Sequence, residues 1–332
     1  MKITMSLIFV IVFTSPPPHP VRAEIVFVAD PIELSGPIKK PRNISALAIV
    51  GGRLVIGSDE TSFVQVLKKS SNGYAAPSDE GILPIISPDS EFTNAEEVDI
   101  EGIAAETNTV FVIGSHARVR AGVDARKESY KDNRTNLDDP PSRFEKTKAF
   151  GARNIIAKFE IDSSGVARNL KNSSLKGVLD ATYPFKLFRD IPSKENGIDI
   201  EGLAVRNGKL YAGFRGPVLR GSFVPILEFE FSNPVAHNRV LYVKLQGRGV
   251  RDMVAVKNGF LILAGPVGDG VQSYQIYLWN GEDVVCGKDR PDAAKNIVLL
   301  GEVPNVPAGA KPEGITITAV QDSRNRCGGT LI

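Results

Sequence analysis

The residues in this chain best suited to chemistry recur at one place in a repeated motif. Ser45, Glu101, Glu201, Asp252 and Glu313 each stand just ahead of an apolar segment, with Asp99 and Asp199 two residues before the first two glutamates. Carboxylates gathered in such a set cannot all ionise unpaired, so a cation, an arginine or a raised pKa must compensate. Hard oxygen ligands in such a set suit Ca²⁺ or Mg²⁺. Arg118, Arg215, Arg220 and Arg251 recur near the same positions. Planar guanidinium forks bind carboxylate or phosphate, so Arg118, Arg215 and Arg251, together with Asp252, are candidate ligand-binding residues. His116 ends an apolar run beside a long polar stretch. It is the candidate general base, with Glu101 and Glu201 as catalytic carboxylates. Each assignment has a structural alternative: a carboxylate that accepts backbone amides from a neighbouring sheet, an arginine that pairs with it, a histidine hydrogen-bonded to the adjoining loop.

The elements that must position these residues are repeated hairpins. The copies read Ser45-ALAIVGGRLVIG-Ser58, Glu101-GIAAETNTVFVIG-Ser115, Glu201-GLAVRNGKLYAG-Phe214 and Asp252-MVAVKNGFLILAG-Pro266, and a further copy begins at Glu313-GITITAV. Gly51 with Gly52, Asn207 with Gly208 and Asn258 with Gly259 are turn formers between β-branched and aromatic runs, the signature of two-residue hairpins. Further strands are expected at 155–161, 225–231, 240–245, 273–279 and 296–300. A repeat of about 50 residues with up to four strands is a blade of a β-propeller, whose sheets bury their faces only against one another. The chain is therefore read as an all-β propeller of about five blades, with six as the alternative. The polar stretch at about 117–153 is a long loop inserted within one blade. The last copy runs out at Ile332 in its second strand, so the strand at 25–29 is expected to close the ring, and truncation at the C-terminus is an open alternative.

Innermost strands surround a propeller's channel, so equivalent positions form a ring at one end of it. Two function classes follow: a metal-assisted hydrolase of a small anionic or ester substrate, or a non-catalytic propeller that holds a small anionic ligand or a protein partner on its rim. Nucleophile-elbow, zinc-protease, phosphate-loop and dinucleotide motifs are absent from the sequence.

The 332 residues are 42% apolar, enough for a substantial core, and Lys plus Arg at 40 against Asp plus Glu at 38 leaves a charge of +2. Charges of both signs are interspersed, which argues against a nucleic-acid partner. Lys2, the apolar run 5–13 and the small residues before Ala23 make a secretory signal with cleavage after Ala23. The mature domain then spans 24–332, periplasmic or secreted, with no later membrane span. Cys286 and Cys327 either pair in that oxidising setting or remain free thiols. Asn43, Asn133 and Asn172 lie in short glycosylation sequons.

The motifs Asp99-IEGIA, Gly114-SHAR, Asp199-IEGLAV, Gly213-FRGPVLRG, Gly249-VRDM, Leu263-AGP, Tyr277-LW and Pro312-EGIT, in this order, resemble the bacterial family catalogued as domain of unknown function 3616. The resemblance spans nearly the whole mature chain and implies a propeller-like secreted protein. More distantly, a Glu-Gly pair opening an inner strand is similar to calcium-dependent lactonase propellers and to esterase-like propellers related to phytases. That likeness implies a metal-ligating carboxylate at Glu101, Glu201 or Glu313.

Overall fold

The computed structural model describes residues 32–90, 97–118, 129–138 and 148–321 except 269, 271 and 308, residues 122, 123 and 126, and the strand backbones at 3–5, 8–12, 24–28 and 326–331; side chains are described between residues 32 and 317. The turn residues act as the sequence requires at two hairpins. Gly51 and Gly52 adopt φ of 54° and 75°, and Asn207 and Gly208 adopt 53° and 74°. Positive φ at both central residues matches the right-handed twist of the flanking strands. In the fourth blade the expected turn is shifted by one residue: Val256 pairs with Gly259, so Lys257 and Asn258 form the turn.

Among the described residues these hairpins grow into one seven-stranded sheet, antiparallel but for the pairing of Ile32–Ser35 with Gly73–Ala75, and four antiparallel four-stranded sheets, arranged as a β-propeller. The inner strands are Ile44–Val50, Ile100–Glu106, Asp199–Arg206, Gly249–Val256 and Ile315–Gln321, here assigned to blades one to five. Each packs against the next, and the fifth packs against the first, so they close around a channel. Blade three shows the plan, with Asp199–Arg206 followed outward by Lys209–Gly216, Phe223–Phe229 and Asn238–Lys244.

Sheets this apolar on both faces must pack face to face. Between blades three and four the rings of Tyr211, Phe260 and Trp279 gather, with centroids 4.5 Å and 5.0 Å apart along the series. Trp279 is fully buried and donates its indole N–H to the Glu282 carbonyl at 2.7 Å.

The fifth blade differs from expectation. Its order is Ile315–Gln321, Arg326–Leu331, Ile8–Val12, Glu24–Val28. The N-terminal part of the chain closes the ring, but with two strands, and the first of them comes from the apolar run read as a secretory signal. The long loop leaves blade two after Thr109–Gly114 and returns at Ile156–Ile161, two strands that pair with each other, and it carries the helix Tyr130–Asp138. The Asn172 side chain is occupied in holding Ser87 N–H and the Ile85 carbonyl at 2.6 Å and 2.8 Å, a clamp between blades one and two.

Candidate functional site at the channel mouth

Each of the first four inner strands carries a β-bulge at the same point, and the residue skipped in the pairing is Ser45, Glu101, Glu201 or Arg251. A bulge re-aims one side chain, and here it marks the start of the channel. Beyond it, a cavity of about 160 Å³ is lined by three successive residues from every inner strand: 47–49, 103–105, 203–205, 253–255 and 315–317. This shared register fixes the ring as Ser45, Glu101, Glu201, Arg251 and Glu313. The expected ring residue Asp252 is thereby corrected by one position: the fourth blade contributes an arginine where its neighbours contribute glutamates.

Asp252 instead occupies the position of Gly102 and Gly202. A Cβ at Gly102 would stand 2.8 Å from Leu203 Cβ, and one at Gly202 would stand 2.8 Å from Val250 Cγ1. The Glu-Gly pair thus exists because the next blade approaches the strand too closely for a side chain. In blade four the gap admits a carboxylate, which locks blades together. Asp252 accepts the N–H of Met253 and of Ile315, each at 2.7 Å. Burial pushes its carboxyl well above the ordinary range, against the pull of amide donors from Ile315, Met253 and Leu203.

Glu201 is the hub of the ring. One carboxylate oxygen lies 2.6 Å from Arg215 Nη1 and the other 2.7 Å from Arg251 Nη1. Arg215 also pairs with Asp199, and Arg251 reaches Glu313 at 2.5 Å. Arg153, from the returning end of the long loop, lies 2.5 Å from Asp99 and also pairs with Glu97. Ser115 donates its hydroxyl to Asp99 as well. Among the described residues Glu101 forms no ion pair or hydrogen bond through its side chain.

Burial dominates the titration of this cluster. It raises Asp99 to about 7 despite Arg153 and Ser115, and Glu201 to about 7 despite Arg215 and Arg251. Glu101 is pushed well above the ordinary carboxylate range by burial and by the neighbouring Glu201, Asp99, Asp199 and Glu313.

The arrangement does not fit a divalent cation held by Glu101, Glu201 and Glu313. Both oxygens of Glu201 and one of Glu313 face guanidinium groups, and among the described residues no three acidic, histidine or cysteine side chains converge as a metal-holding group. The expected role of His116 is also corrected. His116 is buried, its Nδ1 lies 2.8 Å from the Gly114 carbonyl, and its Nε2 accepts the Leu175 N–H at 3.2 Å. Burial lowers its pKa to about 3. With both nitrogens engaged it latches the rim to the segment leading into the helix Lys176–Ala181, and it has no nitrogen left to act as a base. Arg118 stands apart from the ring, paired with Asp190 at 2.8 Å, while its carbonyl accepts the Ser193 N–H. Arg220 is exposed in a turn.

Beside the ring, over blade four and its junction with blade three, lies a cavity of about 650 Å³. Arg215 and Arg251 form part of its wall, joined by Lys194, Gln272, Tyr274 and Lys311 from three separate loops. The last four were not singled out from the sequence, because only the folded ring brings those loops together. Gly265 makes the junction possible: a Cβ there would stand 2.5 Å from the Tyr274 ring and 2.8 Å from Arg251 Cγ.

The family model described as protein of unknown function DUF3616 matches residues 43–327, and the chain belongs to that family. No curated protein matches the sequence. Among solved structures the chain is similar to glutaminyl cyclase of Myxococcus xanthus, with 8% identity, a TM-score of 0.38, and coverage of 87% of this chain and 90% of that one. It is also similar to the PQQ-bound aldose sugar dehydrogenase of Streptomyces coelicolor, with 10% identity, a TM-score of 0.32, and coverage of 87% and 94%. Likeness at this level carries no argument about fold or chemistry.

Proposed function

We propose that the protein binds a small anionic molecule in the cavity at the channel mouth. The observation that carries this reading is the cavity wall itself. Lys194 and Lys311 line about 650 Å³ together with Arg215 and Arg251, which are held from behind by Asp199, Glu201 and Glu313, and no carboxylate is among the described lining residues. A volume of that size suits a small-molecule ligand. Thermal unfolding with acetate, succinate and inorganic phosphate at constant ionic strength tests it. A ligand that binds only the folded state raises the melting temperature. At least one of these anions should do so in the wild type, and less in Lys311→Ala. An unchanged melting temperature with all of them contradicts the reading.

A second reading, hydrolysis of a small anionic or ester substrate by the carboxylates, is supported by Asp99 and Glu201 lying at about 7. Groups poised there exchange protons readily at neutral pH. Turnover of p-nitrophenyl acetate that survives chelator and falls in Glu101→Gln supports this reading. Turnover abolished by chelator contradicts it and returns the metal. Export belongs to the same proposal, supported by the three-part leader: N-terminal sequencing of periplasmic or secreted protein should read from Glu24, and an intact Met1 on a cytosolic product would reject it.

A further inference from the structure

The cavity also has an apolar wall. Beside the cations it is lined by Pro266, Tyr274, Val303, Val306, Pro307 and Ala310. This wall is not a random surface: Tyr274 and Val303 are buried in one apolar cluster with Leu261, Leu263 and Ile276, and Val306 packs against the same cluster. Val303 donates its N–H to the Tyr274 carbonyl at 2.8 Å, which ties the two loops into one surface. The aromatic ring and Arg251 lie side by side because residue 265 has no side chain.

From this pairing of walls we infer that the ligand is an amphiphilic carboxylic acid, whose anionic head meets the lysine and arginine wall and whose apolar body lies on Tyr274 and Val306. The inference rests on the proposed anion site and narrows its ligand class. A bare anion such as acetate or phosphate would fill a small part of about 650 Å³ and leave the apolar wall wet. A body of about the size of a phenyl ring removes that surface from water, and the gain grows with the apolar area covered. A strongly hydrated sugar phosphate would gain nothing from the same wall and would lose water from its hydroxyls.

Titration calorimetry of the full chain with propionate, 3-phenylpropionate and inorganic phosphate tests the inference. The expected result is that 3-phenylpropionate binds about tenfold or more tightly than propionate, on the scale of apolar area buried. Val306→Ser and Tyr274→Ala should each remove most of that advantage while leaving propionate affinity unchanged. Val306 lies only partly buried on a loop, so its variant keeps the test valid where Tyr274→Ala disturbs folding. Equal binding of the two carboxylates, or a 3-phenylpropionate advantage that neither substitution alters, overturns the inference and leaves the anion site standing. Binding of none of the three overturns both.

Discussion

Arg251 stands in blade four where Glu201 stands in blade three, and the two side chains meet at 2.7 Å. The bulge sets both at the channel mouth, and the opposite charges of Glu201 and Arg251 let them be buried together. Removing one partner of a buried ion pair leaves the other uncompensated, at a cost of about 3–5 kcal/mol. Glu201→Ala takes one carboxylate from each of Arg215 and Arg251, which keep Asp199 and Glu313, so its loss of stability in chemical denaturation should fall in the lower part of that range. A loss within about 1 kcal/mol, as for an exposed pair, would mean that the ring is open to water.

Asp252 should separate structure from binding. Asp252→Ala leaves the Ile315 and Met253 amides without their acceptor, and an unsatisfied buried donor costs about 1–3 kcal/mol. The variant should unfold at lower denaturant concentration, yet bind the anions of the cavity as the wild type does, because Asp252 is not part of the cavity wall. Weakened anion binding in a folded Asp252→Ala protein would restore it to the ligand site.

That one-residue slip also shows how far the sequence could be read. The hairpin repeats, the channel and the glutamates of blades two, three and five were legible because apolar periodicity and turn residues are local signals. The sequence marks Arg251 as a rim arginine but not as the ring residue, because Asp252 imitates the acidic residue expected of the ring and a bulge leaves no mark in composition. Aligning on the residues that follow, Leu47, Ile103, Leu203, Met253 and Ile315, would have found it. Lys194, Tyr274 and Lys311 carry no such signal. His116 was legible as unusual, but its role depends on a backbone amide at Leu175, far along the chain.

The raised carboxylates give stability a definite pH dependence. In the unfolded chain Asp99, Glu101 and Glu201 release their protons near about pH 4. In the fold Asp99 and Glu201 hold theirs to about 7, and Glu101 titrates well above the ordinary range. The folded state therefore binds more protons than the unfolded state between these limits, so the stabilisation is complete below about pH 4 and is lost as pH rises through the folded values. Between about pH 5 and 7.5 the melting temperature of Glu101→Gln should fall less than that of the wild type. Parallel profiles would show that Glu101 does not carry this proton.

His116 titrates in the opposite sense. Its pKa is lowered by burial to about 3, so its contribution is present above the ordinary histidine value and is lost as pH falls toward 3. His116→Ala should cost about 1–3 kcal/mol at neutral pH through the Leu175 amide left unpaired. It should also flatten the acid limb of the stability profile. An unchanged acid limb would place the histidine in a wetter setting than the one described.

The most direct measurement is a crystal structure of the protein grown with the carboxylate that binds it most tightly. The ligand should lie over blade four, its carboxylate within hydrogen-bond distance of Lys194 or Lys311 and its body against Tyr274. Electron density for the ligand at another place on the surface, with this cavity holding only water, would contradict the account.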